Sequence, residues 1–233
     1  MSPRRRWGLF LSALLPAAVL MVPLQVLADW ALPAHGIAAR EIAGSVWQGH
    51  LRGARWQGYA MGDLSLALQP WALAGGTRAF LVRGDTVALR VLQGRRTGFD
   101  GLQGELRALP VPGLPALRAD LRFADTAVVF VQGRCAEAGG RVEVALHLPG
   151  REQDPMLLAG TAECAERAAV LPLRPQDGAA RVDAELQVRA DGSFRLQARG
   201  ADADPAAVAL LLRSGFVEAP GGLSLSLDGN IAD

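Results

Sequence analysis

Apolar residues recur at every second position along most of this chain, and that period constrains the fold more than any other feature. Leu64, Leu66 and Leu68 alternate with Asp63, Ser65 and Gln69, and Val87, Leu89 and Val91 alternate with Thr86, Ala88 and Arg90. Leu117, Ala119, Leu121 and Phe123 face away from Arg118, Asp120 and Arg122, while Val142, Val144, Leu146 and Leu148 do the same against Arg141, Glu143 and His147. Val182 to Val188 repeats the pattern, Phe194, Leu196 and Ala198 return it after Asp191-Gly192, and Leu223, Leu225 and Leu227 close the chain. A two-residue period places successive side chains on opposite faces of a strand, so each segment has one covered and one wet face. The expected class is mainly β: an antiparallel sheet, curled or two-layered and elongated.

Turn chemistry divides these strands. Asp191-Gly192 between two alternating runs is the strongest hairpin signal, and Gly84-Asp85 serves the same purpose, which makes Arg83-Gly84-Asp85 a turn rather than an adhesion tripeptide. Residues 98–107 supply a further strand, followed by Pro110, Pro112 and Pro115. Prolines lack a backbone donor, so this stretch is expected to end the strand and to mark where two halves of the domain meet, at 110–115. Residues 156–164 and 168–173 are expected to pair as neighbours. One short helix is expected near the C-terminus: Asp204 as N-cap, Pro205 in the first turn, residues 206–214 as its body and Gly215 as its stop.

The N-terminus is of another kind. Arg4, Arg5 and Arg6 precede an apolar stretch at 7–28 that contains no charged residue, long enough to cross a bilayer. Basic residues before it and none directly after it predict a cytoplasmic segment 1–6, a transmembrane helix 7–28, a linker 29–36 and an exported β-domain 37–233. Val26-Leu27-Ala28 also fits a signal-peptide cleavage site before Asp29, and either reading places the folded part in the periplasm.

Composition removes several functions. Lysine is absent, the 24 basic side chains are balanced by 23 acids, and a formal net charge of +1 offers no field for nucleic acid. The apolar share of 50% permits a sizeable core. No Gly-x-Ser-x-Gly elbow, phosphate loop or close-set histidines occur, since His35, His50 and His147 are scattered. The chain is therefore expected to have no catalytic residues, metal or cofactor. The two cysteines, Cys135 and Cys164, both lie in the exported part, where an oxidising compartment reads them as one disulfide.

The remaining distinctive stretch is Gly44-Ser45-Val46-Trp47-Gln48-Gly49, with a second Trp-Gln-Gly at Trp56 to Gly58. Tryptophans beside glycines belong to strands and tight turns. A Gly-Ser-Val-Trp-Gln-Gly segment behind an N-terminal apolar segment resembles the protein N family of bacterial type II secretion systems. So do Gly160 to Cys164 followed by Ala169 to Leu173, Asp191 to Phe194, and Leu212 to Phe216 with Gly221, Gly222 and Gly229, in that order. The resemblance implies retention of the apolar segment as a single-pass inner-membrane anchor. It also implies an accessory role in secreting folded proteins, through periplasmic contacts with other components of the secretion system. Gly44, Trp47 and Gly49 are then fold-defining. A second reading is a periplasmic β-protein that binds or bridges lipid between membranes.

Overall fold

The computed structural model describes residues 23–25, 37–56, 58–111, 114–148, 155–176, 182–200, 208–209, 212–213 and 215–230. Among the described residues, sixteen strands and one short helix carry the fold. The first group is β1 (Ile37–Ala38), β2 (Glu41–Gly44), β3 (Gly49–Trp56), β4 (Tyr59–Leu68), α1 (Pro70–Leu73), β5 (Thr77–Gly84) and β6 (Val87–Gly94). A long central group follows: β7 (Arg96–Val111), β8 (Leu114–Val131) and β9 (Arg134–His147). The last group is β10 (Met156–Thr161), β11 (Glu163–Ala165), β12 (Ala168–Pro175), β13 (Val182–Arg189), β14 (Ser193–Gly200), β15 (Val217–Ala219) and β16 (Gly222–Asn230).

These strands form a single antiparallel sheet in the order β1-β3-β4-β5-β6-β7-β8-β9-β10-β12-β13-β14-β16-β15, with β2 also on β3 and β11 also on β12. The sheet does not close on itself. Hairpins join most neighbours, as turns of one to a few residues require. The Asp85-Thr86 turn links β5 to β6, and Asp191-Gly192 links β13 to β14, where Asp191 Oδ1 accepts the Ser193 N–H at 2.9 Å.

At about 3.3 Å per residue, the 16 residues of β7 and 18 of β8 reach roughly 50 to 60 Å, about twice the length of β5 or β6. Pro110 lies inside β7, opposite Arg118, and β8 begins at Leu114, opposite Val111. β7 thus keeps Pro110 and ends one residue later, at Val111, and β8 starts at Leu114. The physical reason is local: the ladder shifts register between Pro110 and Val111, and a bulge at a hairpin end has no donor for proline to remove.

Two packing events bend the sheet. Leu114 and Leu117 at the start of β8 are buried with Val182, Ala198, Phe216, Leu223 and Leu225, so the last strands roll over the tip of the long hairpin. At the opposite ends of these strands Val128 and Phe130 bury Ala169 of β12. Between these contacts β10 pairs with β9 at six positions but with β12 only at Leu158↔Pro175 and Ala159↔Arg174. The expected 156–164 with 168–173 pairing is therefore divided: β11 takes most of the partnership with β12, from Glu163↔Val170 to Ala165↔Ala168.

α1 was not foreseen; Pro70 supplies its first residue, and Ala72 packs against the Ala79, Leu92 and Val129 cluster. Most of the helix expected at 206–214 lies outside the described residues. Among the described residues no helix is long and apolar enough to cross a membrane. Residues 7–22 and 26–28 of the expected anchor also lie outside them.

Candidate functional site

The family-like stretch is the loop of the first hairpin. Gly44 and Gly49 face each other where β2 meets β3, and Ser45 to Gln48 form the loop between them. The Ser45 N–H donates to the Gln48 carbonyl at 2.9 Å, and the Gln48 N–H donates to Ser45 Oγ at 3.3 Å. Gly44 has φ +93°, and a Cβ there would meet the Gln48 carbonyl oxygen, so a side chain would break the turn. Val46 is buried, its carbonyl accepting the Leu68 N–H of β4, while Trp47 is half-buried. Trp56, of the second Trp-Gln-Gly, lies at the far end of the same strand, opposite Tyr59.

The last part of the N-terminal apolar stretch docks on this hairpin. Pro23 forms a bridge with Ser45, and Gln25 Nε2 donates to the Ile42 carbonyl at 3.0 Å. Leu24 is buried with Leu51, Ala54 and Leu64. A Cβ on Gly49 would overlap Leu24 Cδ2, so the glycine is the opening through which Leu24 reaches the sheet.

Cys135 at the start of β9 is bonded to Cys164 in β11, with a Cα–Cα distance of 5.5 Å. Strand polarity places this bond at the same end of the strands as the Ser45–Gln48 loop. Cys135 packs against the Val128, Phe130 and Ala169 cluster, and so covalently closes the region where β10 and β12 pair least.

The polar groups at the other end serve the long strands. The Tyr59 hydroxyl donates to the Arg107 carbonyl at 2.6 Å and accepts the Arg107 N–H at 3.2 Å, tying β4 to β7 beyond the shorter β5–β6 hairpin. Asp120 accepts the Ala108 N–H at 2.7 Å and stands 3.1 Å from His147 Nε2. The Ala108 N–H, and after it His147, hold the Asp120 carboxyl below its ordinary pKa, against the opposing effect of burial. Glu105 accepts from Arg107 and pairs with Arg122, each at 3.0 Å, and these guanidinium groups lower its pKa. An open depression of about 480 Å³, lined by Gln103, Glu105, Arg122 and Asp125, lies beside this pair. Among the described residues no group of three His, Cys, Asp or Glu side chains is placed to hold a metal ion.

A carboxyl whose folded pKa is depressed adds stability above its unfolded pKa, near 3.9, and loses it as pH falls through the folded value. Asp120→Asn is therefore expected to flatten the stability-against-pH curve below about pH 4. Urea midpoints collected from pH 6 down to pH 2 check this; an acid limb parallel to the wild type would refute the assignment.

An open antiparallel sheet, stapled by one disulfide, defines a mainly β protein. The family model for type II secretion system protein N matches residues 35–226. The chain belongs to that family, whose members are components of a protein-secretion apparatus. No curated protein and no solved structure matches it.

Sequence reasoning named Gly44, Trp47, Gly49 and both cysteines. It missed Leu24, which was read as part of a bilayer-crossing segment, and it missed Tyr59, Asp120 and His147. Single polar residues within alternating strands give no local sign of a partner many residues away.

Proposed function

We propose that this protein is an accessory component of the type II secretion system that assists export of folded proteins across the outer membrane. It is held in the inner membrane by its N-terminal apolar segment, with the β-sheet in the periplasm. Its work is done by contact with other components of the apparatus. Family membership supports the setting, and the disulfide suits an oxidising compartment.

The observation that carries the contact reading is the outer edge of β16. β15 covers only Gly222 to Ser224, so Leu225 to Gly229 meet no strand on that side among the described residues. An uncovered edge offers backbone donors and acceptors to an added strand. A lipid bridge instead requires an apolar groove open to solvent, whereas Leu51 and Val129 in their clusters are 2% and 0% exposed.

Deletion of the gene in its host, with complementation by the intact gene, tests the function. Secreted enzymes are expected to accumulate in the periplasm and disappear from the medium, and the complementing copy restores them. An unchanged culture supernatant overturns the secretion role.

A further inference from the structure

We infer that one end of the sheet rests on an anionic bilayer surface, with Trp71 in the headgroup layer. This rests on the membrane-anchor reading proposed above.

Antiparallel order brings four connections to that end side by side: the Ser45–Gln48 loop, α1, the Arg95 turn and the Gln132-Gly133 turn. α1 turns Ala72 inward to Ala79, Leu92 and Val129, which leaves Trp71 72% exposed and Leu73 43% exposed. An amphipathic ring held out in this way is matched to the boundary between water and acyl chains, where tryptophan concentrates. Arg78, Arg95, Arg96, Arg134 and Glu137 lie in or beside these connections, and the disulfide and the turn after it bring Glu163, Glu166 and Arg167 to the same end. Glu137 pairs with Arg96 at 2.8 Å, whereas Arg78, Arg95 and Arg134 make no ion pair among the described residues. Three free guanidinium groups beside an exposed indole complement anionic headgroups.

The course of the chain decides between a membrane and another occupant. The sixteen residues at 7–22 carry no charge, and they lead directly into Pro23, which is bridged to Ser45 on this same rim. No linker separates the apolar segment from the rim. An uncharged segment that runs straight into a rim-bound residue keeps that rim beside whatever bilayer holds the segment. Trp56, at the opposite end of β3, is held far from that surface and serves as an internal control.

The full chain is reconstituted into phosphatidylcholine–phosphatidylglycerol vesicles whose acyl chains are brominated close to the glycerol, and tryptophan emission is compared with that in unbrominated vesicles. The emission component removed by Trp71→Phe is expected to be strongly quenched, and the component removed by Trp56→Phe unquenched. Because Trp71 is exposed, its variant keeps the wild-type unfolding midpoint. If the protein resists alkaline extraction but the Trp71 component is unquenched, the rim assignment is overturned while the anchor stands. If alkaline extraction releases the protein, both are overturned.

Discussion

The double variant Cys135→Ala/Cys164→Ala is expected to be about 3.5 kcal/mol less stable than the oxidised wild type, from the loop-closure entropy of a bond across this separation. The bond spans 29 positions, and the closed loop contains most of β9, all of β10 and part of β11. Those strands flank the thinnest ladder inside the sheet, since β10 and β12 share only two register pairs. Without the bond, the two β10–β12 pairs, the Ala162 N–H bond to the Gly140 carbonyl and the contact of Val128 and Phe130 with Ala169 have to hold the fold at that point. Urea unfolding of the oxidised protein, the reduced protein and the double variant measures the effect. Equal midpoints and equal slopes for all three would show that the bond constrains nothing the sheet does not already hold.

Gly104→Ala is expected to cost about 2 to 6 kcal/mol, combining backbone strain with overpacking. Gly104 has φ +118°, and its added Cβ would overlap the Thr86 carbonyl oxygen at the β5–β6 turn. That oxygen accepts the Glu105 N–H at 2.8 Å, so it cannot withdraw without breaking the bond that seats the turn on β7. The ladder to β8 shifts register between Leu102 and Gly104, so the glycine lies where β7 bends away from its shorter neighbours. Gly139→Ala is the control: no atom lies within 4 Å of its added Cβ, and its effect is expected within about 0.5 kcal/mol. Similar urea midpoints for the two variants would remove the close approach as a determinant of the fold.

Much of the sheet was legible because the relevant signals are local. The alternation at Val182 to Val188 and Phe194 to Ala198, with Asp191-Gly192 between, became β13, its turn and β14 in matching register. The stretch Gly44 to Gly49 read as strand, turn and strand, and it forms the β2–β3 hairpin. Local rules misled where a neighbouring strand changed their context. Pro110 reads as a strand terminator, yet β7 keeps it, because the bulge beside it requires no donor, and ends one residue later at Val111. Leu24 reads as membrane apolar surface, yet Gly49 leaves the gap that admits it to the sheet. Hydropathy cannot distinguish the two fates, since both remove a leucine from water.

The sequence by itself determined the strand class, most strand positions, the turn at Asp191-Gly192 and the possibility of a single disulfide. Period, turn residues and cysteine count act over a few neighbouring positions or through composition alone. Only the tertiary structure decided where the sheet bends, that Tyr59 secures Arg107 across an intervening hairpin, and that the first hairpin loop, Trp71 and the disulfide share one end of the strands. Those outcomes arise from contacts between residues far apart in sequence. Their energies depend on which surfaces the rolled sheet brings together, and no local pattern encodes that.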